Sequence, residues 1–223
     1  MLADELWPLF YLRGHTLDWI SSLNIALASA EPLGDLDGQA RAHKALAVAY
    51  SLLQRNADAV GHQRRAIELF RRKGNLLGEA GTLSNLGITN CYLGKLDEAI
   101  ETLTRSARLY EQFGDANGVG LAYTNIAWVC DDFAGRSAEA ITWCNKALAA
   151  YGGDLHGRSL VFTNLSSAHR RVGNTEESIS CAQQALQAHQ KIGHRKGQAS
   201  AHKHLAEAFA EAGQLEQAPP SLE

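Results

Sequence analysis

Five glycine-bounded corners recur through the chain: Gly34-Asp35-Leu36-Asp37-Gly38, Gly74-Asn75-Leu76-Leu77-Gly78, Gly114-Asp115-Ala116-Asn117-Gly118, Gly153-Asp154-Leu155-His156-Gly157 and Gly193-His194-Arg195-Lys196-Gly197. Their first glycines lie 40, 40, 39 and 40 residues apart. A period this regular describes copies of one unit, each too small to bury a core alone and stable only when stacked on its neighbours. In each corner the first glycine is expected to take the left-handed conformation that ends a helix. The Asp or Asn then caps the next helix, and the second glycine allows close helix approach.

A weaker corner divides each unit, at Gly14-His15-Thr16, Gln54-Arg55-Asn56, Gly94-Lys95, Ala134 to Ser137, Gly173-Asn174-Thr175 and Gly213-Gln214. Between corners the apolar residues recur three and four apart, as in Leu96, Ile100, Leu103, Ala107 and Tyr110, which is helical spacing. No alternating β-branched run bounded by hairpin turns occurs, so no strand is expected. The pattern predicts an all-α chain of about eleven helices: antiparallel pairs over 2–33, 35–73, 75–113, 115–151 and 154–192, then a terminal helix over 195–212. Together they would form a single domain, residues 1–218. Residues Gly81 to Gly120 are the most regular copy. The next copy has one extra residue before its second helix, Asn125 to Ala140 against Asn85 to Ala99, which predicts a surface bulge at Asp131 to Ser137 and a shorter second helix. Pro219 and Pro220 should stop a further helix, and residues 219–223 are expected to be a tail, with Leu222-Glu223 resembling a cloning remnant and the chain a fragment of a longer protein.

Each unit carries Leu-Gly or its equivalent in the first helix and small residues seven apart in the second. These are Leu86-Gly87 with Ala99 and Ser106, Leu46-Ala47 with Ala59 and Ala66, Ile126-Ala127 with Ala140 and Ala147, and Leu165-Ser166 with Ser178 and Ala185; the last helix has Leu205-Ala206, followed by Ala218. Small residues suit helices that meet at close range. The pattern resembles the tetratricopeptide repeat, which implies a right-handed α-solenoid, or superhelix. The long period resembles a subgroup that includes kinesin light chains, bacterial signalling ATPases and the Streptomyces antibiotic regulatory protein family. The opening segment, with Trp7 and Trp19 in place of small residues, resembles the boundary at which such regulators pass from an ATPase into their repeats. That resemblance implies a C-terminal sensor or autoregulatory part of a bacterial transcriptional regulator.

Several functions are not supported by the residues. No apolar run approaches the ~20 residues of a membrane span, and the acidic start Met1-Leu2-Ala3-Asp4-Glu5 lacks a secretory pattern, so a cytoplasmic location is expected. A net charge of −3 argues against a broad nucleic-acid face. The basic run Arg64 to Lys73 reads as a solvated helix face. Cys91, Cys130, Cys144 and Cys181 have no paired spacing and read as small buried residues. There is no phosphate loop, no H-E-x-x-H and no G-x-S-x-G. No enzyme activity, cofactor or metal is expected. Asp131-Asp132 reads as solvation of a helix end.

In a stack of this kind the first helices line the concave surface. Asn85 marks the lining stripe, and its equivalents are Glu5, Ala45, Asn125, Asn164 and His204. Three and seven residues on, the stripe carries Val48, Ile88, Trp128, Ser167 and Glu207, and then Leu52, Tyr92, Asp132, Arg171 and Glu211. An asparagine offers donors and an acceptor to a peptide backbone; equally, it can bond within the stack. Trp128 suits an apolar anchor, or packing beneath the bulged turn. Arg171 would supply a positive site, and Lys44 and Lys203 flank the stripe. The expected function is a non-catalytic regulatory module that binds a peptide or another domain through Asn85, Asn125, Asn164, Trp128, Ile88, Tyr92, Asp132, Arg171 and Lys44. The alternatives are a small-molecule sensor built around Trp128 and Phe162, and an architectural oligomerisation module.

Overall fold

The computed structural model describes residues 15–213 and is helical throughout them. In chain order the helices are α1 (Thr16–Ala30), α2 (Leu36–Leu52), α3 (Asn56–Arg72), α4 (Leu76–Tyr92), α5 (Leu96–Phe113), α6 (Ala116–Trp128), α7 (Ser137–Tyr151), α8 (Leu155–Arg171), α9 (Thr175–Lys191) and α10 (Arg195–Glu211). A π-helical stretch, Val129–Phe133, extends α6. These ten α-helices compare with about eleven expected. Glu5, Trp7 and the first helix of the opening pair lie outside the described residues, as do Ala218 and the proline-bearing tail. The chain divides into two compact units, one ending at Phe113 and the other beginning at Gly114.

The corners work as their residues dictate. Gly74 has φ +67°, and Asn75 then accepts a hydrogen bond from the Gly78 amide at 2.8 Å. Asp35, Asp115 and Asp154 likewise accept from the amides of Gly38, Gly118 and Gly157. The cap satisfies an amide that the first helical turn leaves without a partner. Gly78 also makes room for a neighbour, since a Cβ there would stand 2.5 Å from the Phe70 ring, which packs against the start of α4. The fourth corner differs from the expected pattern, because Gly152 (φ +53°), and not Gly153, carries the positive φ. Helix α7 has 15 residues against 18 in α5, so the chain turns one residue earlier.

In the first unit, Trp19 and Leu23 of α1 pack on Leu46 and Ala49 of α2, and every one of them is buried. The small residues lie where helices touch. Ala99 and Ser106 are fully buried, and Ser106 Oγ donates to the Ala80 carbonyl at 2.8 Å. In the second unit the corresponding Ser178 donates to the Ser166 carbonyl at 2.8 Å. Cys91, Cys130, Cys144 and Cys181 are buried free thiols. Burial pushes the thiols of Cys130 and Cys144 up to about 12.

The extra residue of the third full copy does not form the expected surface bulge. It is absorbed in the π-helical stretch, where the Ala134 amide bonds to the Val129 carbonyl, five residues back, at 3.0 Å. One wide turn accommodates a single inserted residue without breaking the helix. Val129, Cys130 and Asp131 are consequently buried.

Candidate functional site

Each unit has a cleft lined by residues of the expected stripe. In the first unit, α2, α3 and α4 enclose about 360 Å³, walled by Val48, Leu52, Ile88 and Tyr92, with Asn85 and Gln63 as polar groups. Tyr92 is 57% exposed. The Asn85 carbonyl accepts from Thr89 Oγ1 at 2.9 Å, while its side-chain amide has no hydrogen bond among the described residues. Gln63 Nε2 donates to Thr89 Oγ1 at 2.8 Å, and Gln63 Oε1 is buried without a partner among the described residues. A buried, unpaired carbonyl oxygen is costly, on the order of 1–3 kcal/mol. Lys44 is half-buried, and its Nζ reaches the position that a Cβ on Gly81 would crowd, at 3.2 Å.

Gln63 is not among the expected site residues, yet the repeat contains the signal. It lies four residues after the small residue Ala59, where the regular copy has Leu103, so a polar side chain occupies a core position.

In the second unit, Trp128, Asp132, Asn164 and Arg171 come together on a cleft of about 270 Å³, beside Lys203 and His204. Several of its polar groups are committed, although Arg170 Nε and His204 Nδ1 are buried without a hydrogen-bond partner among the described residues. Asn164 Nδ2 donates to the Thr124 carbonyl at 3.3 Å, tying α8 to α6. Arg171 donates to the Asp131 carbonyl and pairs with Asp132 at 2.6 Å and with the Asp131 carboxylate at 3.6 Å. The open positive site expected of Arg171 is therefore neutralised. Arg170 pairs in turn with Glu207 at 3.5 Å and Glu211 at 2.9 Å. Burial lowers the pKa of His204, with Glu207 opposing that shift. Trp128 packs edge-on against Phe133, ring centroids 4.8 Å apart, so the indole is held by the π-helical stretch while it lines the cleft. Asn125 is half-buried on α6.

Asp131 reverses its expected role of solvating a helix end. Its side chain is 4% exposed and accepts from Ser137 Oγ at 2.6 Å. The π-helical turn rotates it inward, and that rotation could not be read from residue types.

The links between first helices in this unit join residues about one period apart: Asn164 to Thr124, Arg171 to Asp131, and Arg170 to Glu211. With this stacking and the small-residue contacts in place, comparison with known proteins identifies the unit. The family model described as tetratricopeptide repeat matches residues 78–152 and 157–222, more than half of the chain. The chain belongs to the tetratricopeptide repeat family. Among curated relatives, its repeats are 26% identical over 144 residues to the regulatory protein AfsR of Streptomyces griseus, a match covering 65% of this chain and 15% of that protein. Among solved structures, BtubC (BKLC) from P. vanneervenii superposes with a TM-score of 0.76 at 17% identity, covering 89% of this chain and 85% of that one. A Rap protein complexed with Competence and Sporulation Factor superposes with a TM-score of 0.74 at 12% identity, covering 93% of this chain and 62% of that one. These structural likenesses establish the repeat fold. No helix among the described residues is long and apolar enough to cross a membrane.

Near the first cleft, His43 Nδ1 and His62 Nδ1 lie 2.9 Å apart, and Tyr50 stacks on His62. Two facing ring nitrogens can share one proton but not carry two. Burial, then His62 and Arg65, push His43 from 6.5 down to about 4; burial also lowers His62. Because the folded pKa is depressed, the unfolded chain binds more protons between about 4 and 6.5. The stability this pair provides is fully present above 6.5 and declines as pH falls toward 4. Urea midpoints measured across that window should fall with acidification, and His43→Gln should flatten the dependence. An identical slope in the variant would assign the acid sensitivity elsewhere.

Proposed function

We propose that the chain is a non-catalytic interaction module that binds an extended peptide segment of a protein partner in the α2–α4 cleft of the first unit. The carrying observation is the combination there of an apolar wall with two polar groups that have no partner among the described residues, the Asn85 amide and Gln63 Oε1. An extended backbone can bond to the Asn85 amide through both its N–H and C=O groups whatever its side chains, Gln63 Oε1 would be met once its buried side chain turns toward the cleft, and Tyr92 and Ile88 grip one side chain. In the second unit the equivalent asparagine and arginine are bound within the stack, so Asn164 and Arg171 act first as supports. Trp128 offers a secondary apolar contact. The likeness to a Rap protein solved with Competence and Sporulation Factor supports a repeat surface that takes up a second molecule.

The match to AfsR supports a place in a bacterial transcriptional regulator, as a sensing or autoregulatory region working in the cytoplasm. The chain spans 15% of that relative's length, so the output domains would lie in the remainder of such a parent. Displaying a random dodecapeptide library against the immobilised protein, and measuring enriched peptides by calorimetry, tests the cleft. Binding should weaken at least about tenfold in Asn85→Ala/Tyr92→Ala, since hot-spot aromatics lose roughly 2 kcal/mol or more on truncation. Enriched peptides indifferent to that double substitution would remove the cleft from consideration.

A further inference from the structure

We propose that the first unit has a second docking groove, formed by α3, α4 and α5, for an acidic–apolar–acidic protein segment. This goes beyond the α2–α4 cleft and does not depend on it. The groove encloses about 330 Å³. Leu86 lies on its floor and is partly exposed, whereas its counterparts Leu46, Ile126, Leu165 and Leu205 are buried to 4% exposure or less. Ile67 and Leu83 complete the apolar lining.

Charge is arranged around that floor in a definite order. The contacts Gln63–Thr89 and Arg71–Glu79 set α3 antiparallel to α4, and Ser106 on the Ala80 carbonyl together with Gly87 against Ala99 and Leu103 sets α5 antiparallel to α4. Arg64 is therefore level with Glu98, and Arg71 is level with Arg105. The two ends are seven helical residues apart, about 10 Å at 1.5 Å per residue. Arg64 and Arg105 are exposed and make no ion pair or hydrogen bond among the described residues. Arg71 is held by Glu79 yet remains 57% exposed, and Glu98 is occupied by Lys95 at 3.4 Å. Asn90, 6% exposed, lines the groove and has no side-chain partner among the described residues. A solvated basic face would leave the arginines unpaired, but it would not place them at both ends of an open apolar floor with an uncommitted buried amide.

Two carboxylates three residues apart in a polyproline-II segment lie on the same side of the chain about 9 Å apart, which matches the spacing of the cationic ends. An aliphatic residue between them would cover Leu86 and Ile67, and the Asn90 amide can bond to the segment backbone. Arginine forks suit carboxylates because they bind them with two parallel hydrogen bonds. Exposed Glu101 on the α5 rim opposes such a ligand.

The test uses the full chain and a fluorescein-labelled probe peptide, Gly-Ser-Glu-Ala-Leu-Glu-Ser-Gly, followed by fluorescence anisotropy at low ionic strength. Saturable binding is expected. Arg64→Glu/Arg105→Glu should weaken it at least about tenfold, Glu101→Gln should strengthen it, and Asn85→Ala/Tyr92→Ala should leave it unchanged. On the unaltered protein, replacing both probe glutamates by glutamine, or the leucine by serine, should abolish binding, which keeps the outcome decisive even if the charge-reversed variant folds poorly. No binding of the probe, or binding indifferent to these changes, overturns the proposal. Equal competition by free glutarate also overturns it, by making the groove a small-dicarboxylate site. Loss of binding in Asn85→Ala/Tyr92→Ala alone would place the probe in the α2–α4 cleft instead.

Discussion

Replacing Arg171 with alanine should destabilise the second unit by about 3 kcal/mol and lower its thermal midpoint by roughly 10–15 °C. The guanidinium bonds to the Asp131 carbonyl and pairs with Asp132 and the buried Asp131 carboxylate, so its loss leaves a 4%-exposed carboxylate supported mainly by Ser137. Removing one partner of a buried pair costs more than the pair itself contributes, because the remaining charge keeps its desolvation penalty. The lower part of the 3–5 kcal/mol range for such losses applies, since Arg171 is 37% exposed and water can enter behind it. Asp131→Asn combined with Arg171→Met should recover much of the loss, because no unpaired charge remains. Urea unfolding followed by circular dichroism measures all three proteins. An unchanged midpoint in Arg171→Ala would return this arginine to the set of residues free to bind a ligand.

Gly87→Val should be more damaging still. A Cβ at Gly87 would stand 2.5 Å from Leu103 Cγ and 3.2 Å from the Ala99 carbonyl oxygen, and Leu103 is fully buried with nowhere to go. The backbone oxygen cannot rotate away, so α4 and α5 must separate. Overpacking of this kind costs about 1–3 kcal/mol for small insertions and more when backbone is the obstacle. We expect loss of cooperative unfolding and much reduced soluble yield. Leu103→Ala in the same chain should partly restore the fold, since it removes the first clash and leaves the second. A Gly87→Val protein that unfolds at the parent midpoint would contradict the observed spacing of the two helices.

Most of the architecture was legible because its determinants are local. Asn75 and Asp115 cap helices through bonds to residues three positions on, and Gly74 and Gly114 end helices through their own φ angles. Gly87, Ala99 and Ser106 mark helix contacts by size alone. The one-residue insertion was also visible, but its outcome was not. An extra residue can loop outward or be wound into a wider turn, and the choice depends on what the turned residues then meet. Here Asp131 meets Ser137 and Arg171, from different helices.

The candidate sites divide in the same way. The repeat by itself placed Asn85, Ile88 and Tyr92 of the first unit and Trp128, Asp132, Asn164 and Arg171 of the second on the clefts, whereas Lys44 and Asn125, expected with them, line neither. Tertiary structure alone decided which of those groups are spent. Asn164 is used by the Thr124 carbonyl and Arg171 by two aspartates, while the Asn85 amide and Gln63 Oε1 have no partner among the described residues. The physical reason is that a helix fixes the direction of a side chain through its own period, whereas the pairing of a polar group depends on atoms about 40 residues away, brought within hydrogen-bonding reach only by stacking.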